Sequence, residues 1–279
     1  MNKWNKFRKF WFKYNRVVIG GTMYAIIVIL AILAPVVTSY DPTAMSMSEA
    51  LDPPSMAHIC GTDEFGRDVF TRIIYGARVS LVISMSVLVC CGVVGSILGL
   101  LSGYYKWADT IIMRIMDGLM AFPTVILALV ILTVLGNGIP NLVLALTITQ
   151  TPRVVRTVRT TVISAKELEH VEAARAMGAS NLRIMLQYIF PLCVSPLIIR
   201  LTLTAALTVL NEASLTFLGV GLPPDTASWG VILSEARQFI TTSPYLIYLP
   251  GIAIVWCVLS LNLLGDGLRD ALDPKLSRH

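Results

Sequence analysis

The groups in this chain that could do covalent or metal chemistry are few and poorly spaced for it. Its three histidines, His58, His170 and His279, are scattered, and no His-x-x-x-His or Glu-flanked pair offers a ligand set. Of the five cysteines, Cys90, Cys91, Cys193 and Cys257 sit in apolar runs, where a thiol behaves as a small hydrophobe. Cys60 alone falls in a polar loop, so neither a disulfide framework nor a zinc spacing is visible. There is no Gly-Lys pair, hence no phosphate-cradling Gly-x-x-x-x-Gly-Lys-Ser/Thr loop. Asp266 follows Gly265, but Leu263 stands where an intramembrane aspartyl protease would need its other glycine.

Three charged residues lie inside or beside long apolar runs, where an ionised group is costly enough to need a reason. The spacing places Arg200 almost a full hydrocarbon thickness before Leu218, so it is expected to snorkel to the inner surface. Asp117 falls in the expected first turn of a span, near Arg114, where a carboxylate suits the positive helix end. Glu212 stands six residues before Leu218, about 9 Å below the outer surface, beside Asn211 and Ser214. It must face a cavity, a partner subunit or a buried donor; a place on a translocation path and a role as an interhelical hydrogen-bond partner both satisfy the sequence.

The elements that carry these residues follow from composition. The 279 residues are 55% hydrophobic and only 14% charged, which excludes an ordinary soluble domain, a disordered chain or a collagen. Charge-free runs cover 17–40, 79–105, 118–152 and 238–265, each as long as a bilayer span of roughly 17 to 25 residues or longer. Gly136-Asn137-Gly138-Ile139-Pro140 must divide the third run into two helices, because glycine is floppy and proline lacks an amide donor. With 184–218, broken by Arg200 and Glu212, six spans result: 17–39, 79–103, 115–135, 139–155, 190–218 and 244–266. The expected fold is an all-α integral membrane protein with a six-span domain over 17–266.

Basic residues cluster before the first span, in 153–187 and in the tail 267–279, whereas 41–78 holds six acids against three bases. Positively charged loops stay cytoplasmic, so both termini are expected inside. Within 1–16, Trp4, Phe7, Trp11 and Tyr14 recur at helical spacing among lysines, as in a helix lying on an anionic leaflet rather than a nucleic-acid arm. The apolar run after it is too long for a cleaved signal and reads as a retained anchor. In the outer loop 40–78, Val69, Phe70, Ile73, Ile74 and Ala77 predict an amphipathic helix along the outer face, with Gly76 redirecting the chain. Trp229, Ile232, Leu233 and Ala236 repeat that pattern in the outer loop 219–243.

The largest inner loop, 153–187, carries Glu172, Ala173, Ala174, Ala176 and then Gly178 and Ala179. Helix formers run up to Gly178, which is placed to adopt the left-handed conformation that ends a helix, and Ser180 can cap the next one. Three alanines within four positions make a surface on which another backbone can come close. Composition alone also allows a solvated connector, as the less favoured reading.

These residues resemble a known family. Glu172-Ala173-Ala174, Gly178 and Ile189-Phe190-Pro191 are similar to the coupling loop of ABC-importer permeases. Gly61-Thr62-Asp63-Glu64-Phe65-Gly66-Arg67-Asp68, Phe217-Leu218-Gly219-Val220-Gly221-Leu222-Pro223-Pro224 with Trp229-Gly230, and Leu264-Gly265-Asp266-Gly267-Leu268-Arg269-Asp270 resemble the second permease subunit of dipeptide, oligopeptide and nickel importers. The similarity runs from about Asp41 to Pro274. Two departures stand out: Gln187-Tyr188 replaces a basic pair, and Cys60 replaces a large apolar residue.

The resemblance implies a type I ABC-importer permease in a bacterial cytoplasmic membrane. It would pair with a homologous permease chain, two ATPase chains that bind ATP and Mg, and an extracytoplasmic substrate-binding protein. The chain itself would hold no cofactor or metal, do no covalent chemistry and touch no nucleic acid, only lipid and these partners. Glu172, Ala173, Ala174, Ala176, Gly178 and Ala179 would meet the ATPase. Asp63, Arg67, Asp68, Pro223, Pro224 and Trp229 would meet the binding protein, and Glu212, Asn211 and Ser214 would line the path. No histidine lies in a span and the span cysteines have apolar neighbours, so a weakly polar conduit suits short peptides better than bare nickel. Nickel or a nickel chelate is the alternative cargo. A proton-coupled secondary transporter, resting on Asp117 and Glu212, is more remote, because it would need internal repeats and broken midplane helices.

Overall fold

The computed structural model describes the backbone of residues 3–272 and the side chains of residues 14–272. The side chains expected to form an interfacial anchor, Trp4 to Lys13, and the tail from Asp273 lie outside the described residues. In chain order the helices are α1 (Lys3–Ile32), α2 (Ala34–Val37), α3 (Val69–Tyr104), α4 (Lys106–Met120), α5 (Thr124–Leu135), α6 (Ile139–Ala165), α7 (Glu169–Ala176), α8 (Asn181–Arg183), α9 (Phe190–Phe217), α10 (Trp229–Ala236) and α11 (Tyr245–Leu272). Among the described residues there is no strand, only a single antiparallel bridge between Thr62 and Asp68.

Four helical stretches are long and apolar enough to cross a membrane: Tyr14–Ile32, Val69–Tyr104, Asn181–Phe217 and Tyr245–Leu272, or five if the bent pair α4 and α5 counts as one span. Their outward faces are bare hydrocarbon, with Ile32 66%, Val134 81% and Val255 64% exposed. Such patches are untenable in water and ordinary against lipid.

Three expectations change. The segment before the second span is not a separate surface helix, because α3 continues through Gly76 without a break. Asp68 starts it by accepting from the Thr71 amide at 2.8 Å. Its 36 residues reach about 54 Å, well beyond a hydrocarbon core of about 30 Å, so one end stands clear of the membrane. Gly76 serves a close approach instead: a β-carbon there would lie 3.2 Å from Ser228 and Trp229 backbone atoms at the start of α10.

The stretch expected as one straight span, 115–135, is bent: α4 and α5 meet at 93°. The chain turns at Ala121-Phe122-Pro123, where Pro123 has no amide to continue α4, and α5 is left with 12 residues. Asp117 therefore sits near the carboxyl end of α4, the unfavourable pole for an anion. Arg156 on α6 compensates at 2.6 Å. The turn into α6 agrees with expectation, with Gly136 and Gly138 at φ +83° and +131° and Pro140 in the first turn.

The most intimate helix pair is α3 against α6. Gly95, Gly99 and Gly103 form one face of α3, and a β-carbon on any of them would come within 2.6 Å of Val154, Val158 or Val162 side chains. Small residues at four-residue steps let two backbones approach in lipid, where dispersion rather than water drives association. Gly99→Leu is therefore expected to lower the thermal midpoint of the detergent-solubilised protein, with an overpacking cost of about 1–3 kcal/mol. Gly251→Leu, where a β-carbon meets nothing within 4 Å, should leave it near the parent value.

Candidate functional site

At one end of the bundle the chain leaves α6, forms α7 and returns through α8 into α9. Helix α7 has Glu169 and Glu172 in its first turn and Arg175 in its last, the arrangement its dipole favours. Gly178 lies at φ +81°, and its amide and that of Ala179 bond back to Arg175 and Ala174 carbonyls at 3.0 and 3.1 Å. This is the left-handed glycine termination expected of the sequence. The Ser180 side chain then accepts from the Arg183 amide and starts α8, as its position suggested.

The alanines do not form one surface. Val171 and Ala174 are buried against the bundle, whereas Glu172, Ala173, Ala176 and Gly178 are exposed and Met177 is 78% exposed. Ala179 packs on the main apolar core, so the segment is anchored on its inner side. Tyr104, the last residue of α3, donates to Asn181 at 2.8 Å, and the Lys166 ammonium reaches the Tyr104 carbonyl at 3.5 Å. From Ile184 to Ile189 one wide helical turn joins α8 to α9 without a gap. Helix α7 is thus a short outward ridge tied to the ends of α3, α6 and α9.

The opposite end is closed by a buried ion network that sequence spacing only partly reveals. Asp63 accepts from the Arg67 Nε at 2.6 Å and the Arg72 Nη1 at 2.5 Å, and Glu235 accepts from Arg67 and Arg72 at 2.9 and 2.7 Å. The two arginines are 4% and 2% exposed. Asp68, besides capping α3, hydrogen-bonds His58 Nδ1 through its other carboxylate oxygen at 2.9 Å. Trp229 is buried and donates its indole N–H to the Ile73 carbonyl at 3.0 Å. Of the six residues expected to meet a binding protein, Asp63, Arg67, Asp68 and Trp229 are thus interior and knit the loop to α3 and α10. Pro224 is exposed and Pro223 half-buried. Burial and the nearby Asp68 carboxylate push the Cys60 thiol up, which makes it a poor nucleophile.

Glu212 is buried where α3, α9 and α10 meet. Its carboxylate accepts from Ser80 at 3.0 Å, Ser228 at 3.1 Å and Thr216 at 3.3 Å. A β-carbon at Gly230 would come within 3.1 Å of its Oε1, so the glycine admits α10 to this junction. Asn211 and Ser214, three residues apart, share a different face of α9 and are half-exposed. Ser80 and Ser228 give no signal in the sequence, since serines are unremarkable until a carboxylate is brought between them. Glu212→Leu is expected to cost about 1–3 kcal/mol by orphaning the three hydroxyls, read as a lowered thermal midpoint. Glu212→Gln, which keeps shape and one acceptor, should cost less.

Comparisons with known proteins show the family of the chain. Residues 93–278 match the model of the family described as binding-protein-dependent transport system inner membrane component. The chain is 41% identical over 265 residues to a dipeptide transport system permease protein of Alkalihalophilus pseudofirmus, covering 95% of this chain and 87% of that one. It is 40% identical over 279 aligned positions to a di/tripeptide transport system permease protein of Pseudomonas aeruginosa, covering 96% and 92%. It is 39% identical over 274 to a glutathione transport system permease protein of Pectobacterium atrosepticum, covering 96% and 91%. With the family match spanning well over half of its length, the chain belongs to the binding-protein-dependent transport system inner membrane components.

Proposed function

We propose that this chain is one permease subunit of an ATP-driven importer that moves short peptides across a bacterial cytoplasmic membrane. In this reading it crosses the membrane six times, with α4 and α5 forming one bent span and α6 another, and keeps both termini inside. A homologous permease chain, two ATPase subunits and an extracytoplasmic binding protein complete the machine. ATP and Mg belong to the ATPases, and this chain performs no covalent step.

The observation that carries the reading is the α7 ridge. An exposed face of Glu172, Ala173, Ala176 and Gly178 stands on a buried foot, Val171 and Ala174, of which Val171 joins the apolar core shared by α3, α6 and α9. Small side chains let a partner's groove close around the ridge, and the rigid foot transmits the partner's motion to α3, α6 and α9. Similarity to permeases named for dipeptides, di- and tripeptides and glutathione supports peptides as cargo. Asn211 and Ser214 face the path, and Glu212 pins the helices behind it.

A photoreactive phenylalanine derivative in place of Met177 tests the ridge directly. In membranes containing the whole transporter, illumination should join this chain to an ATPase subunit, and the product should disappear when the ATPases are withheld. Cross-links only to lipid or to the extracytoplasmic protein would refute the docking assignment.

A further inference from the structure

Arginines in a bilayer face protein, water or a counter-charge. At the α7 end of the bundle, Arg153 and Arg156 of α6 and Arg200 of α9 line one open cavity of about 500 Å³, with Met120 at the α4–α5 elbow as another wall. That volume lies within the range of small-molecule sites, about 300–1,000 Å³. Arg156 is neutralised by Asp117. Among the described residues Arg153 and Arg200 have no carboxylate within ion-pair distance. The Arg200 Nε is buried without an acceptor. Arg153 reaches only Gln150, at 3.4 Å, and Gln150 is itself wholly buried with an unpaired amide nitrogen. Snorkelling alone does not describe Arg200, which lines a cavity shared with Arg153 and Arg156.

The rest of the wall has the opposite polarity. Thr157, Thr160 and Thr161 give their hydroxyl protons to backbone carbonyls one turn earlier, at 3.0, 2.8 and 3.1 Å. The capacity left on those hydroxyls is to accept. The cavity thus offers two uncompensated guanidinium forks, suited to a carboxylate, beside hydroxyl oxygens suited to N–H groups. From Arg200, a half-buried stripe of α9 runs through Leu203, Leu207, Asn211 and Ser214 toward the other end of the bundle. A face carrying Arg, Asn and Ser is a poor lipid surface and a good wall for a hydrated path.

We propose that this cavity is a way-station for the cargo, in which Arg153 and Arg200 take the terminal carboxylate of a short peptide before its release. The inference rests on the peptide-importer reading. It adds that the permease itself, and not only a delivery protein, recognises the free carboxyl end.

The test uses the assembled transporter in proteoliposomes, with a dipeptide and its carboxamide each at a concentration that saturates the binding protein. The parent should carry the free acid faster than the amide. Arg153→Gln and Arg200→Gln should each slow the acid on the order of tenfold, the worth of one charge-assisted hydrogen bond, and bring the acid-to-amide ratio toward one. Arg200→Lys should restore part of the preference, which a merely structural role would not do. Acid and amide slowed equally in both glutamine variants, or a ratio unchanged from the parent, would overturn the proposal. If native mass spectrometry finds an anionic lipid bound to the parent and lost from the variants while the ratio stays unchanged, the cavity holds a lipid phosphate and the proposal falls. Absence of any peptide uptake by the parent would instead reject the cargo reading on which it rests.

Discussion

Asp63→Ala is expected to collapse the α10 end of the molecule and to give the largest loss of stability of any single substitution considered. Asp63 accepts four hydrogen bonds, from Arg67 Nε, Arg72 Nη1 and the amides of Phe65 and Arg67. Together with Glu235 it balances two buried guanidinium groups. Removing one carboxylate leaves a net positive charge in the interior, and breaking a buried pair from one side costs about 3–5 kcal/mol. Glu235→Ala should cost less, because its side chain is 15% exposed and water can replace it in part. Thermal unfolding in detergent, combined with proteolysis within 40–68, would show both the size and the place of the effect. A double variant, Asp63→Ala with Arg72→Met, should recover much of the loss, since the remaining pair is again neutral.

Gly178→Leu should abolish transport while leaving the chain folded and inserted. A left-handed residue with a β-carbon costs roughly 1–2 kcal/mol, small against the stability of the whole bundle. Within this chain a β-carbon at Gly178 meets nothing within 4 Å, so no internal clash is added. The damage is expected outside this chain: the strain tilts the end of α7 and the leucine stands on the ridge proposed to dock the ATPase. Uptake and transport-stimulated ATP hydrolysis should fall together to near background, with Gly178→Ala intermediate. Normal uptake by well-inserted Gly178→Leu protein would remove α7 from the coupling path.

Short-range chemistry is legible in the residues alone. Gly136-Asn137-Gly138-Ile139-Pro140 forces a turn because two glycines and a proline act together, and Gly178 ends α7 because nothing else there tolerates positive φ cheaply. A lone proline is ambiguous: Pro152, Pro196 and Pro250 lie inside helices, while Pro123 marks a sharp elbow. The elbow, and with it the position of Asp117, is therefore not visible in the sequence. Gly76 is legible as special but not in its purpose, since its partner Trp229 comes from α10, far along the chain.

The sites divide in the same way. The charges of 41–78 resemble a surface for a partner because acids and bases in a loop usually are solvated. Their burial comes from Glu235, 163 residues beyond Arg72, which no local pattern announces. Local propensity places the alanines of α7 on a helix, but which of them faces outward depends on how Val171 and Ala174 seat against the bundle. Arg153 and Arg200 lie 47 positions apart in sequence, and only the packing of α6 on α9 brings them to one cavity.

The central claim, that this chain carries peptides inward and is driven through α7 by separate ATPases, is tested most directly by uptake of a labelled dipeptide into proteoliposomes. The vesicles hold this chain, its permease partner, ATP inside with the two ATPases, and the binding protein outside. Accumulation that needs ATP and the binding protein together, and that unlabelled dipeptide but not nickel salt suppresses, is the expected result. Peptide accumulation driven by a proton gradient without ATP, or nickel accumulation with no peptide taken up, would contradict the account.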